Sequence, residues 1–196
     1  MMKSKYFKRY NTFLFISILL LTGFLFGLYI SKYSNIKDME YLKYFLTTMN
    51  QSVTKYDYYV SQVVGGIVFT LLIVLLGTSI IGSPFISFLI FSKGIQIGFS
   101  CALFIYTYQL KGILGILLTV VPQIVFDLPF IYLVSGSAIH LSLFVLYSTM
   151  STHALSLKAY VNSFLNHLLV AFLLILLSSF LKSTVLIELI KLFNFA

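Results

Sequence analysis

Apolar residues in this chain gather into runs longer than a soluble helix needs, and the polar residues fall into the intervals between them. The first run, Phe13 to Ile30, predicts a membrane-spanning helix over about residues 13–31, since roughly 20 apolar residues cross a hydrocarbon core. Gly23 and Gly27 within it form a small-xxx-small pair that would let another helix approach closely, unless the two are merely tolerated. The second run, Gln62 to Ser92, would measure about 46 Å as one helix, well beyond a core of about 30 Å. It must break, and Gly82-Ser83-Pro84 is the place, because proline lacks a donor and disfavours helix in the residue before it. The result is a span over about 62–81 and a short segment over 85–92, ended by Lys93 and Gly94.

A third span follows over about 94–110, bracketed by Lys93 and Lys111, and its Gly94 and Gly98 make a second small-xxx-small pair. The next apolar region, Gly112 to Met150, is too long for one helix and slightly short for two. Its prolines predict a half-length helix to about 121, an irregular break from Pro122 and Gln123 through Pro129, then a full span over 130–150. Unpaired backbone at membrane depth survives only against protein or a wet cavity, so that break is expected to face the bundle. The last span covers about 163–181. The fold class is therefore an all-α integral membrane protein. It forms one polytopic domain, a bundle of about five transmembrane helices with broken or re-entrant segments near Gly82–Pro84 and Pro122–Pro129.

Residues 32–60 form the one sizeable polar stretch. Ser34 or Asn35 can cap a helix whose first turn carries Asp38, favourably placed against the helix dipole. Apolar positions then recur at close to helical period, Leu42, Phe45 and Met49 among them. This predicts an amphipathic helix whose apolar face meets either lipid or a partner.

Composition sharpens the picture. Hydrophobic residues make up 60% of the chain and charged ones only 9%, with a mean hydropathy of +1.02. Soluble domains carry roughly 25% charged residues, so a soluble fold is excluded. The net charge is +8, but the basic residues sit singly at the ends of apolar runs, where they snorkel to the interface and meet anionic lipid. Nucleic acid is accordingly not expected as a partner. Cys101 is the single cysteine, so no intrachain disulfide forms, and a small buried hydrophobe is its expected role. Lys3, Lys5, Lys8 and Arg9 precede the first run like the start of a signal peptide. The run is too long for one and lacks a small-x-small cleavage site, so it reads as a retained span. Those four basic residues favour a cytoplasmic amino terminus. Counting Lys and Arg on the two sides, with five or with six crossings, does not separate the two topologies.

Candidate chemistry is sparse. His140, His153 and His167 stand about 20 Å apart along a helix, beyond the reach of one metal, and no Glu lies near them as a zinc protease requires. They read as interfacial or hydrogen-bonded histidines. Asp127 is the sole acid between Asp57 and Glu188, so the carboxylate pair of a glycosidase is not available within the bundle. Nucleophile-elbow and Walker-type phosphate-loop motifs do not occur. Catalysis, a bound metal and a cofactor are not expected. Asp127 itself is the most informative residue, because an ionisable group in an apolar run is expensive. It could bond backbone amides freed by Pro122 and Pro129, pair with Lys93 or Lys111, sit at the membrane interface, or serve a partner or a transported solute.

Two stretches carry a resemblance. Gly77 to Gly98, GTSIIGSPFISFLIFSKGIQIG, resembles the G-x-P…KG…G region of the stage II sporulation protein M family. Lys111 to Pro129, KGILGILLTVVPQIVFDLP, is similar to that family's following KG…PQ…P region. The matching positions are Gly82, Pro84, Lys93, Gly94, Gly98, Lys111, Gly112, Pro122, Gln123 and Pro129, while Asp127 matches no family role. The resemblance implies a multi-pass protein of the cytoplasmic membrane that acts in engulfment of the forespore. It further implies a scaffold for two wall-cutting partners, a peptidoglycan lytic transglycosylase and an amidase or endopeptidase. The other reading is a transporter or channel subunit with its site at the broken helices around Asp127.

Overall fold

The computed structural model describes residues 2–33, 40, 54–150 and 157–193. Helix α1 (Met2–Ile30) ends in a 3₁₀ turn, Ser31–Tyr33, and α2 (Lys55–Gly77) and α3 (Gly82–Tyr108) follow. A short α4 (Leu110–Gly115) passes through a π-turn, Ile116–Val120, into α5 (Val121–Met150), and α6 (Leu157–Phe193) completes the bundle. Among the described residues five helical stretches are long and apolar enough to cross a membrane, with α4, the π-turn and α5 counting as one. The protein is an all-α, multi-pass membrane protein. Its outer surface agrees, since Leu75, Leu169 and Leu173 are 68%, 68% and 65% exposed. Water would penalise that surface, whereas lipid tails do not distinguish it from their own.

With no hydrophobic force to drive helices together in lipid, close van der Waals contact must hold the bundle. The sequence supplies it along α1 and α3, which run parallel. Both predicted glycine pairs meet there: the backbone at Gly23 lies against Phe91 and Gly94, Gly27 against Ile95 and Phe99, and Gly98 against Phe24. A β-carbon at Gly94 would stand 3.0 Å from the α-carbon of Gly23, so the packing role holds and mere tolerance does not. The inner faces of α1, α2, α3, α5 and α6 join in one core that includes Ile16, Ile73, Ile86, Val134 and Ala171. A smaller cluster of Cys101, Phe104 and Val120 fills the end near the π-turn, which places the buried, unpaired cysteine as expected.

The interruption at Gly82–Pro84 is a tight turn through residues 78–81 and not a re-entrant segment. Pro84 falls in the first turn of α3, where its missing N–H would have had no helical partner in any case. Hence α3 runs unbroken through Lys93 and Gly94, and the expected separate segment over 85–92 does not form. Gly94 is kept in mid-helix by the close approach of α1, which offsets its low helix propensity. The α2–α3 turn is held from outside. Ser142 of α5 donates to the Ser79 carbonyl at 3.0 Å and accepts from the Ser83 N–H at 2.9 Å. Ile81 gives α3 no side-chain cap, so a serine from another helix does that work.

The second expected break also differs. Residues 122–129 are helical, with Pro129 inside α5, and the irregularity lies just before them in the π-turn. Val121 there donates to the Ile116 carbonyl, five residues back. The wider turn makes room for the Pro122 ring and its absent donor while the chain stays helical. A sharper corner comes earlier, at Gln109, which holds φ 50° and ψ −123° between α3 and α4. This is the first corner conformation of a type II′ turn, ordinarily glycine's. It lets Gly112 lie against the Phe104 carbonyl.

Lys55 at the start of α2 and Glu188 near the end of α6 form an ion pair at 2.6 Å. Both therefore lie at one face of the bundle. An even number of crossings must then separate them, so Leu110–Thr149 traverses once and the described residues make five crossings. Helix α2 begins earlier than the expected 62–81, and α6 extends beyond 163–181 at both ends. The expected outer helix with Leu42, Phe45 and Met49 lies outside the described residues.

A polar cavity between four membrane helices

Four of the last polar residues of α6, Ser178, Ser179, Lys182 and Ser183, are spaced to share one helix face, and all four are buried. Against that face α2 places Gln62, α3 places Lys93, and α5 places Gln123 and Asp127. With Ser178, Ser179 and Lys182 they line a cavity of about 240 Å³ within the bundle. Its charges are Lys93, Lys182 and Asp127, a balance of two positive against one negative.

The acid is committed. Lys182, only 4% exposed, pairs directly with Asp127 Oδ1. The Ser178 hydroxyl donates to the same oxygen at 3.1 Å, and Lys182 Nζ also donates to Gln62 Oε1 at 3.3 Å. A buried ion pair is tolerated when extra hydrogen bonds complete it, and this one has them. Asp127 thus finds its partners on α6, and neither Lys93 nor Lys111 is the one. Lys111 stands exposed near the Gln109 corner. Lys93 shares the cavity with Asp127, but among the described residues it has no ion-pair partner; its ammonium lies over the Phe69 ring, 5.1 Å from the centroid. A cation–π contact of that kind offsets only part of the desolvation of a lysine.

The cavity's depth follows from the helix registers. Gln62 is two turns below Lys55, about 10 Å from that face. Lys93 precedes Gly94, which packs on the Leu20 carbonyl, and Leu20 lies near the middle of the Asn11–Tyr33 span. The cavity thus reaches from about 10 Å below the face to the membrane centre. Ser61, Gly65 and Gln123 are exposed at its rim, so it opens along the α2 and α5 side.

A larger groove of about 570 Å³ lies between α1, α5 and α6 toward the opposite face. There Thr12 and His140 are hydrogen-bonded at 3.1 Å, Ser17 and Tyr132 at 2.7 Å, and Phe13 stacks on Tyr132 with centroids 4.4 Å apart. His140 and His167 both line this groove, because the α5–α6 hairpin brings together residues that are far apart along the chain. His153 lies outside the described residues.

The structure therefore sorts the sequence candidates. Lys93, Gln123 and Asp127 meet in the cavity, Gly94 and Gly98 form the α1–α3 seam, and Gly82 and Pro84 shape the α2–α3 turn. Pro122 follows the π-turn, and Pro129 lines the larger groove. Sequence reading missed Gln62, Ser178 and Lys182. The available signal was the helical spacing of the serines and Lys182 at the end of an apolar run.

A sequence model of the family described as Stage II sporulation protein M matches residues 16–193. Neither a curated protein nor a solved structure matches the chain.

Proposed function

The chain belongs to the stage II sporulation protein M family, and from that premise we propose that it is a membrane scaffold of the engulfment machinery. In this reading it sits in the mother-cell cytoplasmic membrane at the sporulation septum and carries out no hydrolysis. It localises a peptidoglycan lytic transglycosylase and an amidase or endopeptidase, so that the septal wall thins and the membrane migrates around the forespore.

The observation that carries this reading is the sidedness of the bundle. The chain between α1 and α2, which includes Leu42, Phe45 and Met49, connects at the same face as the end of α6, marked by the Lys55–Glu188 pair. With the basic amino terminus in the cytoplasm, both segments lie on the wall side, where the hydrolases work. The glycine seam and the completed Asp127–Lys182 pair favour a firmly packed anchor.

Co-purification tests it: the two wall hydrolases are expected to elute with the detergent-solubilised chain, and charges placed at Leu42, Phe45 and Met49 are expected to release them. Deletion of the gene is expected to arrest engulfment, seen by membrane dye in sporulating cells. The polar cavity favours a second reading, a transporter or channel subunit acting around Asp127. Solute flux in proteoliposomes holding this chain alone, without hydrolase capture, would establish that reading in place of the scaffold.

A further inference from the structure

The cavity between α2, α3, α5 and α6 holds one more cation than it can neutralise. Asp127 accepts from Lys182 and Ser178, so Lys93 shares that one carboxylate at a distance and has no ion pair of its own among the described residues. A second feature has the same sign. The Gln62 carbonyl oxygen is occupied by Lys182, so its NH₂ group is the end left to donate. Gln123 at the rim adds a second amide and Ser61 a hydroxyl. An ammonium and several neutral donors around a partly enclosed space form the donor set of an oxyanion site. At roughly 30 Å³ per water, 240 Å³ is ample room for a phosphate group.

We propose that this cavity binds a phosphate-type oxyanion carrying one net negative charge, held by Lys93 with the Gln62 and Gln123 amides. The charge balance then closes within the membrane, two ammonium groups against the Asp127 carboxylate and the bound anion. The opening along α2 and α5 admits either of two sources of this chemistry. One is the phosphodiester of an anionic lipid drawn in from the wall-side leaflet; the other is free inorganic phosphate entering from the aqueous face. Neither source requires a hydrolase partner, so this site stands apart from the scaffold reading.

The test uses the full chain purified in a zwitterionic detergent. Phosphatidylglycerol, with phosphatidylcholine as the zwitterionic, net-neutral control, is titrated with detection by native mass spectrometry. Inorganic phosphate is titrated separately by calorimetry. Binding of phosphatidylglycerol with no response to phosphate assigns the site to lipid; the reverse assigns it to the free ion.

For whichever probe binds, Lys93→Met is expected to weaken it about tenfold or more, as loss of a charge-assisted hydrogen bond implies. Asp127→Asn is expected to tighten it by about tenfold, because Lys182 is then also released toward the anion. A variant that failed to fold could not bind more tightly, so these opposite signs separate the site from a general loss of structure. Lys111→Met, on the exposed corner, is expected to change nothing. Absence of binding by both probes overturns the proposal. So does equal binding by wild type and Lys93→Met, or weaker binding by Asp127→Asn.

Discussion

Ser142 caps a helix to which it does not belong. Its hydroxyl closes the Ser79 carbonyl and the Ser83 N–H, and at zero exposure it leaves neither backbone group an aqueous substitute. Interhelical hydrogen bonds in membranes average only about 0.6 kcal/mol and reach about 1.7, because the separated helices find other partners. Here one residue makes two, both to backbone of a fixed turn. Ser142→Ala is therefore expected to destabilise the detergent-solubilised chain by about 1–2 kcal/mol, read as a lowered unfolding midpoint. An unchanged midpoint would mean that the turn holds without α5. The residue scale is also where sequence reading reached least far. Asp127 stood out because a lone acid in an apolar run has few cheap explanations. Its partner did not, because Lys182 sits at the end of its own apolar run, where a lysine reads as an interfacial anchor. Ser142 gave no signal, since serine in a membrane helix commonly bonds within its own helix, as Ser137 does.

At the scale of elements, the glycines were legible and the prolines misled. Two small-xxx-small pairs announce that two helices can touch at the backbone, and α1 and α3 do so. The prolines were read as breaks, but what a proline does depends on where it falls. Pro84 occupies a first helical turn, and Pro122 follows a π-turn that absorbs it, so both stretches stay helical. The seam then makes a sharp prediction. A side chain at Gly94 must displace backbone of α1, not a flexible side-chain tip. Gly94→Leu is expected to cost on the order of 3 kcal/mol, the upper range for overpacking. Gly65→Leu, where an added β-carbon meets nothing within 4 Å, is expected to leave stability nearly unchanged. Thermal unfolding of the two variants side by side in the same detergent checks this, and similar losses in both would remove the seam's special role.

For the whole molecule, hydrophobic patterning made the five-helix plan readable, while charge counting could not orient it. The reason lies in the structure. A count by chain position assigns Lys93 and Lys182 to sides, but both line the interior and say nothing about sides. Removing them leaves Lys3, Lys5, Lys8, Arg9 and Lys158 on the face of the amino terminus. Lys32, Lys37, Lys43, Lys55, Lys111 and Lys191 remain on the other. The totals stay nearly balanced, and what favours one side is the tight cluster of four basic residues, with no acid among them, before the first helix. On that rule the amino terminus is expected in the cytoplasm and both members of the Lys55–Glu188 pair outside. In a background with Cys101→Ser, a membrane-impermeant thiol reagent applied to intact protoplasts is expected to label Lys55→Cys and Glu188→Cys. Ser4→Cys is expected to react only after lysis. Protection of Glu188→Cys alongside labelling of Lys55→Cys would mean that an even number of crossings separates the amino terminus from Glu188, and the single traverse by Leu110–Thr149 would fall with the five-helix topology.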